Sequence, residues 1–347
     1  MSQSPLDAGV ELSVVTPVYK AAECLDELYR RLVAVLERTV ERFEIVMVND
    51  GSPDDSWRLI EGLARRDPRV RAINLSRNFG QHYAITAGLD QCRGRWVVVM
   101  DCDLQHEPED ISRLYAKALD GHDIVLVRRL RRHDPFWKRQ TSRAFVAVYN
   151  YLSDIKVDPG ISSYSIISRR VVAALRSLRE GNRTYPLLLH WVGFDVAYID
   201  GEHAKRFAGK SAYSLTKSIN LAIESISSQS NRPLRLSIQF GFLLSLASIL
   251  CAIWLVIRYF LFAVAVEGWT STMVSLFFLS GLLFANIGVL GLYLGKVFDQ
   301  TKNRPLYLVK ERLNLDTFSP PDETVASAGS DAAVLPVLTG RRVDDSV

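Results

Sequence analysis

Short apolar segments rich in β-branched residues alternate, in the first third of the chain, with longer segments whose apolar residues recur at helical spacing. A continuous apolar run of about five residues predicts a strand buried on both faces of a sheet. Strands joined by amphipathic helices form βαβ units with right-handed crossovers. We therefore expect an α/β domain with a mostly parallel, doubly wound sheet, with strands at residues 11–19, 43–48, 70–75, 96–100 and 124–127 and helices at 22–41, 53–66 and 84–91.

Polar residues follow the end of each predicted strand. The carboxyl ends of parallel strands meet at one edge of a sheet, and ligands of open α/β sheets bind outside that edge. We therefore expect a cleft there, lined by Tyr19, Asp50, Arg77, Asp101 with Asp103, and Arg128.

Asp101 and Asp103 directly follow the most apolar of these strands. Two carboxylates one residue apart can share Mg²⁺, which takes one or two carboxylates and fills its other positions with water and substrate phosphates. The same residues could instead cap the helix that is predicted to begin near Pro108. Taken alone, the two aspartates leave both interpretations open.

Two later segments are long and apolar enough to cross a membrane. Residues 236–257 are 22 residues without a charge, and residues 268–295 are 28; about 20 apolar residues span the hydrocarbon core. Lys and Arg flank the pair on its outer sides, whereas the loop around Glu267 has neither. The positive-inside rule predicts an inner (plasma) membrane protein with two spans and with both termini and the α/β domain in the cytoplasm.

The apolar stripe of residues 218–230 predicts an amphipathic helix along the inner leaflet. The C-terminal residues are rich in Ser, Pro, Ala and Asp, which favours disorder. We therefore divide the chain into the α/β domain at 1–212, an amphipathic juxtamembrane helix at 213–235, membrane helices at 236–266 and 268–295, a cytoplasmic segment at 296–315 and a disordered tail at 316–347.

Composition and charge narrow the partners. The 347 residues carry a net charge of only +4, and no nucleic-acid-binding motif is present, so nucleic acid is not an expected partner. Basic and aromatic residues interleave at 129–149, which fits either a solvated helix face or a helix lying on membrane lipid. The four cysteines are scattered, so no disulfide framework or zinc site is expected.

Six motifs occur in a fixed order: SVVTPVYK, VNDGS, LSRNFGQH with AGL, MDCDLQ with PE, ISRRVVAAL and RFAGKSAYS, followed by the membrane segments and YLGKVFDQTKNRPLY. Together they resemble the polyprenyl-phosphate glycosyltransferases of inverting family 2, which have the GT-A fold. That group includes dolichyl-phosphate mannose synthase and the undecaprenyl-phosphate glucosyl and aminoarabinosyl transferases. The resemblance covers about residues 12–312. It implies a membrane enzyme that moves one sugar from a UDP- or GDP-linked donor to polyprenyl (undecaprenyl or dolichyl) phosphate at the cytoplasmic face.

The resemblance also implies roles for individual residues. Asp101 and Asp103 match the DxD motif, which holds Mg²⁺ or Mn²⁺ on the donor diphosphate, and Gln105 would lie beside the metal. Such a metal neutralises the charge that develops on the departing nucleoside diphosphate. The implied nucleotide-sugar residues are Pro17, Tyr19, Asp50, Arg77 and Cys102, and the implied acceptor-phosphate residues are Arg128, Lys138, Ser142 and Arg206.

The chain departs from the family pattern where many relatives carry an aspartate that could act as a base. Here Ser162, Ser163 and Tyr164 precede ISRR. The acceptor is a phosphate monoester whose second pKa is near 6, so it is largely dianionic at neutral pH. Positioning and charge neutralisation can then carry the reaction, and we expect no essential base outside Asp50, Asp101 and Asp103.

Two other functions remain open at this point. The enzyme could use a diacylglycerol-type lipid or a lipid-linked saccharide as its acceptor, or the chain could be a non-catalytic scaffold that recruits a flippase. Two membrane helices argue against a processive polysaccharide synthase with its own sugar channel. Small residues in the second membrane segment would allow packing against another copy of the chain; these are Gly281, Gly288, Gly291 and Gly295.

Overall fold

The core of the protein is an eight-stranded mixed β-sheet with helices on both faces. The computed structural model describes residues 9–129, 151–152, 161–181, 183–201, 230–262 and 268–315. The strands are β1 (Leu12–Val18), β2 (Phe43–Asn49), β3 (Val70–Leu75), β4 (Trp96–Val99), β5 (Ile124–Arg129), β6 (Ile161–Ser168), β7 (Val196–Gly201) and β8 (Val309–Leu313). The helices are α1 (Leu25–Thr39), α2 (Ser56–Arg66), α3 (Gln81–Gln91), α4 (Asp110–Leu119), α5 (Arg169–Ser177), α6 (Tyr185–Trp191), α7 (Arg232–Phe262) and α8 (Trp269–Thr301).

The centre of the sheet is parallel, as the sequence predicts. β1 pairs in parallel with β2 on one side and with β4 on the other, and β2 pairs in parallel with β3. Every residue of these four strands is buried, because helices cover both faces. One face packs against α1, α2 and α4 and the other against α3 and α5. Gly88 lets α3 approach the sheet closely, since a Cβ there would lie 2.3 Å from Val15 Cγ1.

Two strands, β6 and β8, run antiparallel to their neighbours in the otherwise parallel sheet. Its strand order is β7-β5-β6-β4-β1-β2-β3-β8. β6 lies antiparallel between β4 and β5, and β8 lies antiparallel against β3. The α/β class and the mostly parallel sheet are therefore confirmed, with four parallel strand pairings and, among the described strands, antiparallel pairings only at β6 and β8.

β8 covers the edge of the sheet with residues that follow the last apolar helix. It pairs Ala72 with Leu313 and Ile73 with Arg312. The Asn314 side-chain amide donates to the carbonyls of Ala64 and Val70 at 2.6 and 2.8 Å. An uncovered β3 would present unpaired backbone groups, so this strand completes the domain from the far end of the chain.

The helices α7 and α8 are long and apolar enough to cross a membrane by length and composition. Their apolar segments, Arg232–Cys251 and Ser271–Thr301, have mean hydropathies of 1.7 and 2.1. The Ser237 hydroxyl donates to the Asn286 side-chain oxygen, which links the two helices. The Tyr293 hydroxyl donates to the Ser230 carbonyl at 2.8 Å. Both helices extend beyond the uncharged segments seen in the sequence, α7 at both of its ends and α8 at its C-terminal end.

Hydrogen bonds tie the end of α8 to the sheet domain. The Gln300 side-chain oxygen accepts from the Gly181 amide at 3.0 Å. The Tyr307 hydroxyl donates to Asp90 at 2.7 Å, and Arg179 makes a two-pronged contact with the same carboxylate at 2.8 and 3.1 Å. Asp90 thus joins α3, the segment after α5 and the segment that leads from α8 to β8.

A buried ion pair lies at the opposite end of the sheet from the predicted cleft. Glu44 accepts from Arg71 at 2.9 Å, from the Ser13 hydroxyl at 2.7 Å and from the Arg93 amide at 2.6 Å. The Glu44 and Arg71 side chains are 4% and 5% exposed. Removing one member of such a pair leaves the other charge buried without its partner.

We expect Glu44→Ala to destabilise the protein by about 3–5 kcal/mol, because Arg71 would remain buried without a carboxylate. Urea unfolding of the purified protein in detergent, followed by tryptophan fluorescence, measures this change. The matched control is Glu61→Ala, which removes an exposed i,i+4 pair with Arg65 and should change stability by less than about 1 kcal/mol. Equal stability losses in the two variants would contradict the importance of the buried pair.

Candidate active site

Most of the residues that the sequence predicts to line the cleft lie near the carboxyl ends of β1, β2 and β4. β4 ends at Val99, and Asp101 and Asp103 follow within four residues, both half-buried. The register between Val99 of β4 and Ser165 of β6, continued by two residues, places Asp101 opposite Ser163. This antiparallel pairing brings β6 side chains to the first aspartate.

Two side chains hold the Asp101 carboxylate. The Gln81 side-chain amide donates to Oδ1 at 2.6 Å, and the Ser163 hydroxyl donates to Oδ2 at 3.2 Å. Gln81 is the first residue of α3, and Gly80, with φ of 110°, is the N-cap residue directly before it. Because each oxygen receives a donor from a different element, the carboxylate is fixed in direction before any ligand arrives.

Asp103 lies in a tight turn. Its Oδ1 accepts from the Gln105 amide at 3.2 Å. Leu104, between these two residues, has φ of 57°, a left-handed conformation that costs roughly 1–2 kcal/mol for a residue with a Cβ. Strain of this kind concentrates at functional sites. The turn keeps the Asp103 carboxylate and the Gln105 backbone together beside Asp101.

Cys102 points away from the two aspartates, into the hydrophobic core. Its side chain is 9% exposed, and the Cys24 thiol donates to its carbonyl at 3.0 Å. Contact with the Cys24 thiol, together with burial, raises the pKa of Cys102 well above the ordinary thiol value. Side chains along an extended segment alternate in direction, so residues 101 and 103 face the site while residue 102 does not. Pro17 is also buried, within β1, so neither side chain is presented to a nucleotide.

Asp50 is buried at the end of β2, where it organises the loop after β3. Its two oxygens accept the amides of Phe79 and Gly80 at 2.7 and 2.9 Å. Burial raises the pKa of Asp50, and the two amide donors partly oppose this shift. Gly51 (φ 62°) packs against the same loop, because a Cβ there would lie 2.4 Å from the carbonyl carbon of Arg77. Asp50 therefore positions the loop that carries Arg77.

The side chains of Tyr19 and Arg77 are exposed at this edge of the sheet. Tyr19 is 44% exposed, and the Lys20 ammonium lies 5.5 Å from the centre of its ring. The Arg77 guanidinium lies over the Phe79 ring at 4.1 Å. An exposed aromatic ring and a guanidinium stacked on another ring suit a planar, negatively charged ligand.

Arg128 is the second-last residue of β5. This strand is two strand positions from β4, which is about 10 Å at the usual strand spacing. It is exposed, and its guanidinium lies 5.0 Å from the centre of the Tyr198 ring on β7. It lies on the same edge of the sheet as Asp101, separated from it by β6. The other three residues expected to bind the acceptor, Lys138, Ser142 and Arg206, lie outside the residues that the structure describes.

Sequence patterns did not single out Gln81 or Ser163 as contacts of Asp101. Gln81 was visible in the motif LSRNFGQH, and Ser163 was noted only as the position where relatives often carry an aspartate.

His106, also in the turn after β4, is 3% exposed and stacks on Tyr164 at 5.0 Å. The Tyr164 hydroxyl donates to the Glu107 carbonyl at 3.0 Å. The stacked pair of His106 and Tyr164 therefore stabilises the turn after β4.

The donor set suits a divalent cation that brings ligands of its own. In the described part of the chain, no group of three or more His, Cys, Asp or Glu side chains could hold a metal. Asp101 and Asp103 offer two hard carboxylates, which is the number Mg²⁺ often takes from a protein when substrate phosphates and water supply the rest. The two aspartates therefore fit a cation bound together with a diphosphate.

The chain is similar to several known glycosyltransferases. Residues 13–175 match Glycosyl transferase family 2. The chain is 35% identical over 308 residues to an uncharacterised glycosyltransferase of Synechocystis, covering 88% of this chain and 97% of that one. It is 36% identical to the bactoprenol glucosyl transferase of Shigella phage SfX (87% and 100% covered) and 34% identical to a prophage bactoprenol glucosyl transferase homolog of Escherichia coli (87% and 99%). Among solved structures, glucosyl-3-phosphoglycerate synthase from Mycobacterium tuberculosis, in complex with Mn²⁺, UDP and phosphoglyceric acid, matches with 20% identity and a TM-score of 0.46, covering 65% of this chain and 79% of that one.

We expect Gln81→Ala to weaken Mn²⁺ binding in the presence of a nucleoside diphosphate by about 10–100-fold, because an outer partner that orients a metal-binding carboxylate is lost. Titration of Mn²⁺ followed by electron paramagnetic resonance measures the affinity directly. Ser163→Ala should have a smaller effect, since its hydrogen bond is longer. The control is Gln91→Ala, the same change at the other end of α3; unchanged Mn²⁺ affinity in Gln81→Ala would contradict the orienting role.

We expect His82 to make the protein less stable at mildly acidic pH. Burial lowers the pKa of His82 from 6.5 to about 4, and its Nδ1 accepts from the Tyr185 amide at 3.4 Å. The unfolded chain therefore binds the proton more readily, and this contribution to stability, complete above pH 6.5, is lost as the pH falls towards 4. The thermal midpoint of the wild type should drop more between pH 7.5 and 5.5 than that of His82→Gln; equal drops would rule out His82 as a source.

Proposed function

The chain belongs to glycosyl transferase family 2 and is a glycosyltransferase, and on this basis we propose that it transfers one sugar from a nucleotide-sugar to a polyprenyl phosphate. The observation that carries the proposal is the extent of the match to bactoprenol glucosyl transferases. It spans 304 residues of this chain and the whole of the phage protein. A match of that length covers the two long apolar helices in addition to the sheet domain. The similarity therefore extends over both parts of the chain and is not confined to the sheet domain.

The donor would bind at the carboxyl ends of β1, β2 and β4. Asp101 and Asp103 would hold Mg²⁺ or Mn²⁺ on its diphosphate. The exposed Tyr19 ring and the Arg77 guanidinium would contact the nucleotide. Asp50 would act mainly by fixing the loop that carries Arg77, since both of its oxygens already accept backbone amides.

The reaction would be a single displacement with inversion. An oxygen of the acceptor phosphate forms a bond to the anomeric carbon while the bond from that carbon to the diphosphate oxygen breaks. The bound cation would supply charge neutralisation for the departing nucleoside diphosphate. Gln81 and Ser163 would keep the Asp101 carboxylate aimed at this cation, and the turn at Leu104 would keep Asp103 beside it.

No side chain would need to remove a proton from the acceptor. A phosphate monoester is largely dianionic at neutral pH. Ser163, at the position where relatives often carry an aspartate, donates to Asp101 and has no basic oxygen to offer. The absence of an essential base therefore stays a prediction that this geometry supports.

The acceptor would approach from the β5 side of the same edge. Arg128 is exposed there, and Lys138, Ser142 and Arg206 are the other residues that we propose for its phosphate. The α7 and α8 helices would anchor the enzyme in the inner membrane, with the sheet domain and both termini in the cytoplasm. A polyprenyl phosphate could then reach the site without leaving the lipid.

The experiment that tests the proposal is a product assay with purified protein, Mn²⁺ or Mg²⁺, radiolabelled nucleotide-sugars and a short polyprenyl phosphate. We expect a lipid-soluble product whose sugar is released by mild acid, because a polyprenyl sugar phosphate is acid-labile. An acid-stable product formed only with a diacylglycerol-type lipid or a lipid-linked saccharide would favour the alternative acceptors. Absence of both transfer and metal-dependent nucleotide-sugar binding would revive the non-catalytic scaffold.

A further inference from the structure

A cleft of about 750 Å³ separates the sheet domain from the end of α8. Its walls come from the loop after β3, the segment after α5, and the stretch that leads from the end of α8 towards β8. The residues that matter for its chemistry are Arg77, Phe79, Arg179, Lys296, Lys302 and Arg304. The volume is within the usual range for sites that take small molecules or lipid headgroups.

The lining is strongly cationic. Five Lys and Arg side chains face two acidic ones, Glu180 and Asp299. Arg179 is already paired with Asp90, and Lys302 contacts Asp299 at 2.8 Å. Within the part of the chain that the structure describes, no carboxylate lies within ion-pair distance of Arg77 or Arg304. The cleft therefore keeps cationic groups that an anion could engage.

The walls are held in place without a ligand. The Tyr83 hydroxyl donates to the Gly181 carbonyl, and the Gly181 amide donates to Gln300 on α8. Asp90 joins Arg179 to Tyr307, and Asn303 turns the chain with φ of 45°. A cationic cleft whose walls are fixed by hydrogen bonds loses little entropy when it binds an anion.

The cleft is separate from the place proposed for the donor diphosphate. Gln81 points to Asp101, whereas Tyr83 lines the cleft. Two residues along an α-helix correspond to a rotation of about 200°. The aspartates and the cleft therefore lie on opposite sides of the first turn of α3, so a phosphate in the cleft would not replace the donor diphosphate. Arg77, which lines the cleft and is also proposed for the nucleotide, is where the two places adjoin.

The cleft lies at the end of α8 where the uncharged segment stops, and this position favours a lipid phosphate as its ligand. The uncharged part of this helix ends at Gly295, and Lys296 is the next residue. Headgroup phosphates lie at the ends of membrane-spanning helices, and basic pockets there bind anionic lipids. Phe79, Pro305, Leu306 and Leu308 add apolar surface to the same walls, which suits the glycerol and first acyl carbons of a lipid.

We propose that this cleft is a binding site for the phosphate headgroup of an anionic phospholipid, a role that rests on the proposed membrane insertion but not on sugar transfer. The lipid would lie between α8 and Arg77. Because Asp50 holds the Arg77 loop, a bound lipid would couple the membrane surface to the loop beside the donor site.

The test is native mass spectrometry of the full chain in detergent, titrated with phosphatidylglycerol. Lys302→Gln with Arg304→Gln should weaken binding by about fivefold per removed charge, and so about 25-fold in all. The matched control is Arg235→Gln with Lys310→Gln, which removes two exposed charges outside the cleft and should change the affinity less than about twofold. If the cleft variant does not fold, Arg304→Gln alone serves, with a fivefold loss expected.

Competition distinguishes the possible sources of the phosphate. A tenfold excess of phosphatidylcholine or inorganic phosphate should not displace phosphatidylglycerol, and a short polyprenyl phosphate should not displace it at equal concentration. Equal losses in the cleft and control variants, or no loss in either, would overturn the proposal. Displacement by polyprenyl phosphate would assign the cleft to the acceptor instead, and extraction of the protein from membranes by alkaline carbonate would remove the premise of membrane insertion. A failed transfer assay would leave this binding result unaffected.

Discussion

The candidate site depends on the direction in which the Asp101 carboxylate is held. A carboxylate at the end of a buried strand has several rotamers, and only some of them turn its oxygens towards the cleft. Gln81, at the start of α3, and Ser163, on β6, each donate to one of its oxygens. The first contact requires α3 to begin directly after Gly80, and the second requires β6 to pair antiparallel with β4. The geometry of one side chain thus depends on the arrangement of three elements that are distant in sequence.

The loop after β3 and the segment after α8 also connect the site to the two long apolar helices. The loop after β3 is held by Asp50 on one side and lines the cleft beside α8 on the other. The chain that leaves α8 returns to the sheet, places Tyr307 on Asp90, and ends as β8 on the edge of β3. The segment after α8 is therefore part of the sheet domain. If α7 and α8 span a membrane as proposed, these contacts would hold the sheet domain close to the lipid surface.

The central strands could be predicted from sequence to within two residues, because their continuous apolar runs are required by burial on both faces. β6, β7 and β8 could not. β6 (ISSYSIIS) has four serines among its eight residues and its direction is set by its neighbours, β7 is a short strand at the edge of the sheet, and β8 is the charged sequence VKERL, which pairs only because β3 offers an open edge. The spacing of Asp101 and Asp103 after a buried strand made them candidate metal ligands. Side chains alternate in direction along an extended segment, which explains why Cys102 between them is buried. Gln81 and Ser163 could not be assigned to Asp101, since their contacts depend on a helix start and a strand register that no local pattern specifies.

The central claim is that Asp101 and Asp103 hold a divalent cation on the diphosphate of a nucleotide-sugar. Isothermal titration of the purified protein with nucleotide-sugars, in Mn²⁺ and again in a chelator, tests it most directly when wild type is compared with Asp101→Asn and Asp103→Asn. We predict donor binding that requires the metal in the wild type and is lost in both variants, which keep the thermal midpoint of the folded protein. Metal-dependent donor binding of wild-type strength in either variant would contradict the account.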